Sequence, residues 1–248
     1  MAGATSLKSF RQRLNLAVGR AIHRTGFELR RVARAPEHSL LGLRSRDIRT
    51  ILDVGANAGQ FARHILGHFP DATVLAFEPV PGPFRDLKAL AVSDPRIEAL
   101  NCAVGDHEGH VEMFEHVDHN YSSSLLRTTT ELLESLPAIA SQRRIEVPLT
   151  TLDHALAGRE VVPQLLVKLD VQGFEDRVIR GAAETLRRAE GAIVEVNLDS
   201  FYEGQASFRD ILGGIEAAGL KFAGALDQVI WGDGHVSHFD AVFLRPRR

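Results

Sequence analysis

The segment Asp53-Val54-Gly55-Ala56-Asn57-Ala58-Gly59 sets a carboxylate, two glycines and an asparagine within seven residues. Gly55 and Gly59 let the backbone approach a ligand closely. Asn57 tolerates the positive φ for which many such loops use a third glycine. A dinucleotide pyrophosphate is anionic and calls for free N–H groups at a helix start, and a carboxylate at the mouth of the loop opposes it. Asp53 is read as that carboxylate, and Gly55-Ala-Asn-Ala-Gly59 departs from the Gly-x-Gly-x-x-Gly spacing of dinucleotide sites. An acidic turn suits a cationic ligand instead. S-adenosylmethionine fits, since it carries an ammonium and a sulfonium and no phosphate.

Further acids recur at positions that suit such a site. Glu78 closes the next apolar run, 25 residues after Asp53, where a carboxylate accepts both ribose hydroxyls. Ala103, in Ala103-Val104-Gly105-Asp106, follows the third run, where an adenine edge would lie. Asp170 ends the fourth run, on the side where the first turn would hold cofactor, and so doubles as a cofactor contact and the first candidate for a base that takes a proton from a hydroxyl nucleophile. Glu175 and Glu195 are further candidates. Each has a plainer reading: Asp170 as a helix cap, Glu175 as an acid favoured in a helix's first turn. Asp170, Glu195 and Asn197 together offer oxygen ligands for Mg²⁺, although a mechanism without metal is the expectation. His107, His110, His116 and His119 do not match the spacing of a structural zinc site and read as polar residues of a surface insertion.

The elements that must position these groups follow from apolar periodicity. Strands are expected at Thr50–Val54, Thr73–Phe77, Ile97–Val104, Leu165–Leu169 and Ala192–Val196. Helices are expected at Gln60–His68, Pro83–Ala91, Phe174–Ala189 and Phe208–Ala218. Strands near Lys221–Ala225, Gln228–Trp231 and Ala241–Leu244, with a hairpin turn at Gly232-Asp233-Gly234, complete a doubly wound, mainly parallel α/β sheet with an antiparallel end. Between Gly105 and Leu152 the alternation weakens. That stretch reads as a loop-rich insertion near the site, and it is expected to govern acceptor choice.

The chain has 248 residues and one cysteine, Cys102, so no disulfide forms within it and a cytoplasmic setting is expected. No apolar run is long enough to span a bilayer and no secretory leader is evident. Charge is uneven: residues 1–49 carry 11 Lys/Arg against 3 Asp/Glu, while the remainder carries 18 against 29. The expected organisation is a basic helical extension over 1–49 and a catalytic domain over 50–248. The extension reads as an amphipathic helix that either caps the acidic domain or attaches at the inner membrane surface. An acidic domain repels phosphate and argues against a nucleic-acid substrate. Nothing in the sequence sets the oligomeric state.

The ordered set DVGANAG (53–59), AFEP (76–79), NCAVGDHEG (101–109), TTLD (150–153), VKLDVQGFE (167–175) and IVEVN (193–197) resembles the FkbM family of methyltransferases. Gln172 stands where many members have Glu. The resemblance covers about residues 50–245. It implies a Rossmann-like class I methyltransferase fold with a seven-stranded sheet, S-adenosylmethionine as cofactor, and O-methylation of a hydroxyl on a sugar, glycolipid or polysaccharide. A lipid or polyketide-type acceptor is the alternative.

Overall fold

The computed structural model describes residue 25 and residues 39–116, 123–136, 139 and 141–247. The helices expected over 7–34 lie outside the described residues, Thr25 apart. Leu40–Arg248 forms one compact unit. Residues 40–49, assigned by sequence to the extension, bury Leu43 and Ile48 in the same core as Ile51.

A seven-stranded sheet organises that unit, in the order β3-β2-β1-β7-β8-β10-β9. The strands are β1 (Thr50–Val54), β2 (Thr73–Phe77), β3 (Ile97–Leu100), β7 (Leu165–Leu169), β8 (Ala189–Asn197), β9 (Lys221–Ile230) and β10 (Val236–Leu244). The first five pair in parallel, while β10 runs antiparallel to both β8 and β9. After β1 the chain winds outward through β2 and β3, then returns to β7 on the other side of β1. The switch point therefore lies between β1 and β7, where open α/β sheets bind ligands beyond the strand ends.

Strand alternation divides the core in two. Ile51, Leu166, Ile193 and Val242 face α1 (Gln60–His68) and α2 (Pro81–Ser93). Leu52, Val54, Val167 and Val194 face α5 (Glu175–Arg180), α6 (Ala183–Arg188) and α7 (Phe208–Ala217). The sheet is covered on both faces, which is why β1 and β7 are buried along their whole length.

Four local expectations are corrected. The run 97–104 is two strands, because the chain leaves the main sheet at Asn101 and starts β4 (Ala103–Val104) in a second sheet. Residues 105–152 are not mainly loop: β5 (Gly109–His116) and β6 (Gln142–Thr150) form an antiparallel ladder pairing Gly109 with Leu149 through His116 with Gln142. Its outward residues are polar, which hid the period-two signal. Short helices α3 (Thr130–Ser135) and α4 (Leu152–Ala155) flank β6. The helix expected over 174–189 breaks at Gly181–Ala182 into α5 and α6. The two strands expected within 221–231 are one, β9, which carries register shifts and a left-handed Asp227 at φ 42°. Among the described residues no helix is long and apolar enough to cross a membrane.

Candidate active site

The turn from β1 into α1 is shaped by contact with its neighbours. Gly55 adopts φ 82°, and a Cβ there would sit 1.8 Å from the Asp170 carbonyl oxygen. Only glycine lets β1 end this close to β7. Asn57 takes φ 48°, and its side chain accepts from the Ala58 N–H at 2.8 Å. Gly59 caps α1 at φ 83° and lies against Leu87 and Leu90 of α2, so it serves packing and does not line the pocket.

Glu78 is fixed across from this turn. Its carboxylate accepts the Asn57 N–H at 2.8 Å and the Val80 N–H at 2.7 Å. Burial pushes its pKa up to about 7, against the lowering effect of those two bonds. Gly55, Asn57, Glu78, Ala103 and Asp170 line one pocket, closed by Val80, Cys102, Met113 and Leu125. A carboxylate with spare lone pairs beside a flat glycine turn and an apolar slot fits a nucleoside ribose and base.

Asp53 is placed differently from expectation. It is wholly buried in β1, its oxygens have no hydrogen-bond partner among the described residues, and it does not reach the pocket mouth. In the parallel ladder it neighbours Lys168, itself buried and with its Nζ 5.2 Å from the Phe61 ring centroid. Burial raises the Asp53 carboxyl to about 6, and Lys168 holds it from going higher. The acids that face the pocket are Glu78 and Asp170. Lys168, two residues before Asp170, was legible only as a charge inside an apolar strand.

Asp170 lies at the centre of a connected group. Lys168 Nζ donates to its Oδ2 at 2.7 Å and Gln172 Nε2 to its Oδ1 at 2.8 Å. Burial would raise its pKa, but the ammonium and these bonds outweigh that and hold it well below the usual carboxylate range. The Gln172 amide also donates to Glu195 Oε2 at 2.8 Å and accepts from the Tyr202 hydroxyl at 2.7 Å. Burial and the negative Asp170 push the Glu195 pKa well up from the ordinary carboxylate value. Gln172 holds this post from a left-handed backbone, φ 55°. Of the oxygen set considered for Mg²⁺, Asp170 and Glu195 are joined by the Gln172 amide and Asp170 also meets the Lys168 ammonium, while the buried Asn197 amide has no hydrogen-bond partner among the described residues. Among the described residues no three His, Cys, Asp or Glu side chains converge to hold a metal ion.

Glu175 points inward. Its Oε1 accepts from the Val171 and Gly173 N–H groups at 3.1 and 3.2 Å, and burial raises its pKa to about 7. It pins the loop carrying Gln172 and lines neither pocket.

Beyond Asp170 and Gln172 opens a second cleft of about 500 Å³, also bordered by Glu195, Tyr202, Trp231 and His238. Asp227 and Asp240 add carboxylates. Asp170 and Gln172 line both cavities and form the wall between them. Sequence reading missed the part played by β9 and β10. Its available signal was the period-two pair His238 and Asp240. Among the described residues, the expected insertion contributes Leu132 and Leu136 to this cleft.

Among the described residues, His107, His110 and His116 do not form a cluster. His107 meets Asp106 at the surface and His110 is exposed on β5. His116, expected at the surface, is buried with Nε2 3.1 Å from Thr128 Oγ1. His119 lies outside the described residues.

An open, mainly parallel sheet with an antiparallel strand inserted near one edge, and with acids closing β2 and β7 around a glycine turn, defines the class I methyltransferase fold. The description "Methyltransferase FkbM domain" belongs to the family whose model matches residues 53–222, and the chain belongs to that family. Its cofactor is S-adenosylmethionine. The chain is 32% identical over 165 residues to the 31-O-demethyl-FK506 methyltransferase FkbM of Streptomyces tacrolimicus, covering 58% of this chain and 63% of that protein. It is 29% identical over 170 residues to the 2-O-methyltransferase NoeI of Sinorhizobium fredii, covering 65% and 69%. The crystal structure of a methyltransferase FkbM from Methylobacillus flagellatus superposes with a TM-score of 0.52 at 13% identity, over 79% of this chain and 44% of that one. That likeness speaks to fold alone.

Proposed function

We propose that this chain is an S-adenosylmethionine-dependent O-methyltransferase acting on a hydroxyl of a sugar, glycolipid or polysaccharide. The observation that carries this is the meeting of two cavities at Asp170 and Gln172, one suited to a nucleoside and the other large enough for a small-molecule acceptor. Glu78 would hold the ribose, and the negative Asp170 would face the cationic part of the cofactor. When bound, the cofactor supplies an electrophilic methyl group. The chain's own groups must then hold the acceptor oxygen in line at about 3–3.5 Å. Carboxylates at Glu195, Asp227 and Asp240 can orient hydroxyls, while Phe201, Tyr202 and Trp231 offer apolar faces to a pyranose ring.

A polyketide-type acceptor is the second reading, favoured by the FK506-acting relative and by exposed Val229 and Trp231 at the cleft's rim. Purified protein with methyl-tritiated S-adenosylmethionine, offered methyl pyranosides in parallel with macrolide alcohols, separates the two. Label moving to the pyranosides supports the first reading, and transfer to macrolides alone supports the second. Binding of S-adenosylhomocysteine with no transfer to any hydroxyl would overturn both. Asp170→Asn should weaken binding of the cofactor, whose cationic part that carboxylate would face.

A further inference from the structure

We infer that His238 is the proton acceptor for the acceptor hydroxyl, a role that rests on the methyl-transfer reading above. The carboxylates nearest the boundary are ill-suited to it. Asp170 has both oxygens engaged by Lys168 and Gln172, and Glu195 shares the Gln172 amide and is pushed toward its protonated form by burial and Asp170. A base that is already protonated, or stabilised as an anion, gains little by taking a proton.

His238 stands on β10, in register with Asn197 of β8, and its side chain lines the acceptor cleft with Asp170 and Glu195. Its Nδ1 is 2.9 Å from Ser237 Oγ. That hydroxyl also lies 3.3 Å from the Val229 carbonyl, and when it donates there its oxygen is left to accept from the imidazole. In that arrangement, which we infer, the proton of a neutral ring sits on Nδ1 and Nε2 keeps its lone pair. Phe201 packs edge-on against the ring at 5.9 Å between centroids and limits its rotation.

The charges around it come from several elements. Asp170 at the end of β7 and Asp199 after β8 both favour the imidazolium, yet burial outweighs them and the ring's pKa is lowered. Burial pushes Glu195 on β8 well up and raises Asp240 of β10 to about 6. Asp227 on β9 lines the same cleft. Asp199 is itself engaged by His235 Nε2 at 2.9 Å. Against the effect of its burial, Lys168 is held charged by Asp170, Asp53 and Asp240.

In the step, a lone pair of the hydroxyl oxygen forms the new C–O bond. The C–S pair leaves with sulfur as a neutral thioether. The hydroxyl proton passes to His238 Nε2, and its former bonding pair stays on oxygen, so charge moves from sulfonium to imidazolium.

The test has one arm that needs no acceptor. Two-bond ¹H–¹⁵N spectra of histidine-labelled protein with S-adenosylhomocysteine, assigned with a His238→Gln variant, should show an unprotonated Nε2 at pH 7 and a ring pKa below 6.5. An imidazolium at pH 7, or a proton resident on Nε2, overturns the inference. In the second arm, His238→Gln should lower kcat on the best methyl pyranoside by about 10²–10⁴-fold. It should also abolish the acid limb of the kcat profile and leave S-adenosylhomocysteine affinity within threefold. Should the glutamine variant not fold, Ser237→Ala is the substitute: it removes an acceptor that favours the imidazolium and should shift the acid limb to lower pH. An unaltered acid limb in a folded variant overturns the role. Absence of transfer by the wild type would count against the proposed function, while the spectra still decide the state of His238.

Discussion

Replacing Gln172 with leucine would remove the side chain that joins three elements of the site. Its amide donates to Asp170 and Glu195 at 2.8 Å each and accepts from Tyr202 at 2.7 Å. A hydrogen bond to an ionised group contributes about 1.5–3 kcal/mol and a neutral one about 1 kcal/mol. With Asp170 ionised and the other two bonds counted as neutral, the three together come to about 4 kcal/mol. That is a large share of the roughly 5–15 kcal/mol typical of a domain. Urea unfolding at pH 7.5, followed by far-UV circular dichroism, should show a lower midpoint at unchanged slope. Tyr202→Phe removes only one of the three bonds and should cost about 1 kcal/mol. Because that bond is already absent in the leucine variant, the double variant should lose about 1 kcal/mol less than the sum of the singles. A loss under about 1 kcal/mol in Gln172→Leu, or strict additivity with Tyr202→Phe, would refute the view that this amide ties the two cavities together.

Further outcomes follow from other parts of the site. Glu78 titrates near 7 and must be ionised to accept two ribose hydroxyls, so S-adenosylhomocysteine affinity should weaken by up to about tenfold per unit as pH falls below 7; a calorimetric Kd flat from pH 8 to 5.5 would remove Glu78 from the site. Glu78 and Glu175 ordinarily titrate at 4.5 and are raised to about 7 in the fold, so between those values the folded state binds more protons than the unfolded one. Ligand-free stability should therefore decline as pH rises through that window, as thermal melts at pH 5 and 7.5 would register. Lys168→Met strips the ammonium from buried Asp53 and Asp170 and should cost about 3–5 kcal/mol at pH 8, with a smaller cost at pH 5 where Asp53 takes a proton; equal losses at both values would contradict the pairing. Gly55→Ala drives a methyl into the Asp170 carbonyl and should abolish S-adenosylhomocysteine binding. By contrast Gly67→Ala, in open space within α1, should stabilise by about 0.5–1 kcal/mol.

The sequence alone determined the doubly wound sheet, the cofactor turn and the acids that close β2 and β7. These are local facts: β1 and β7 are continuous apolar runs because both faces of the sheet are covered, and a glycine turn between strand and helix is written in consecutive residues. Polar outward residues concealed the β5–β6 ladder, whose partners are separated by up to 40 residues, Gly109 lying opposite Leu149.

Only the tertiary structure decided what the acids do. Asp53 and Asp170 are both aspartates at the ends of parallel strands. One is sealed beside Lys168 with no hydrogen bond among the described residues, and the other is held ionised by an ammonium and an amide. Glu175 turns inward to two backbone N–H groups, while burial and Asp170 push Glu195 well up. Charge state depends on burial and on neighbours brought in from other strands, and neither is written locally. The same holds for the acceptor cleft. Gln172, Tyr202, Trp231 and His238 belong to four separate segments, and they border one cavity because β10 inserts antiparallel between β8 and β9 and carries its C-terminal partners to the mouth of the parallel sheet.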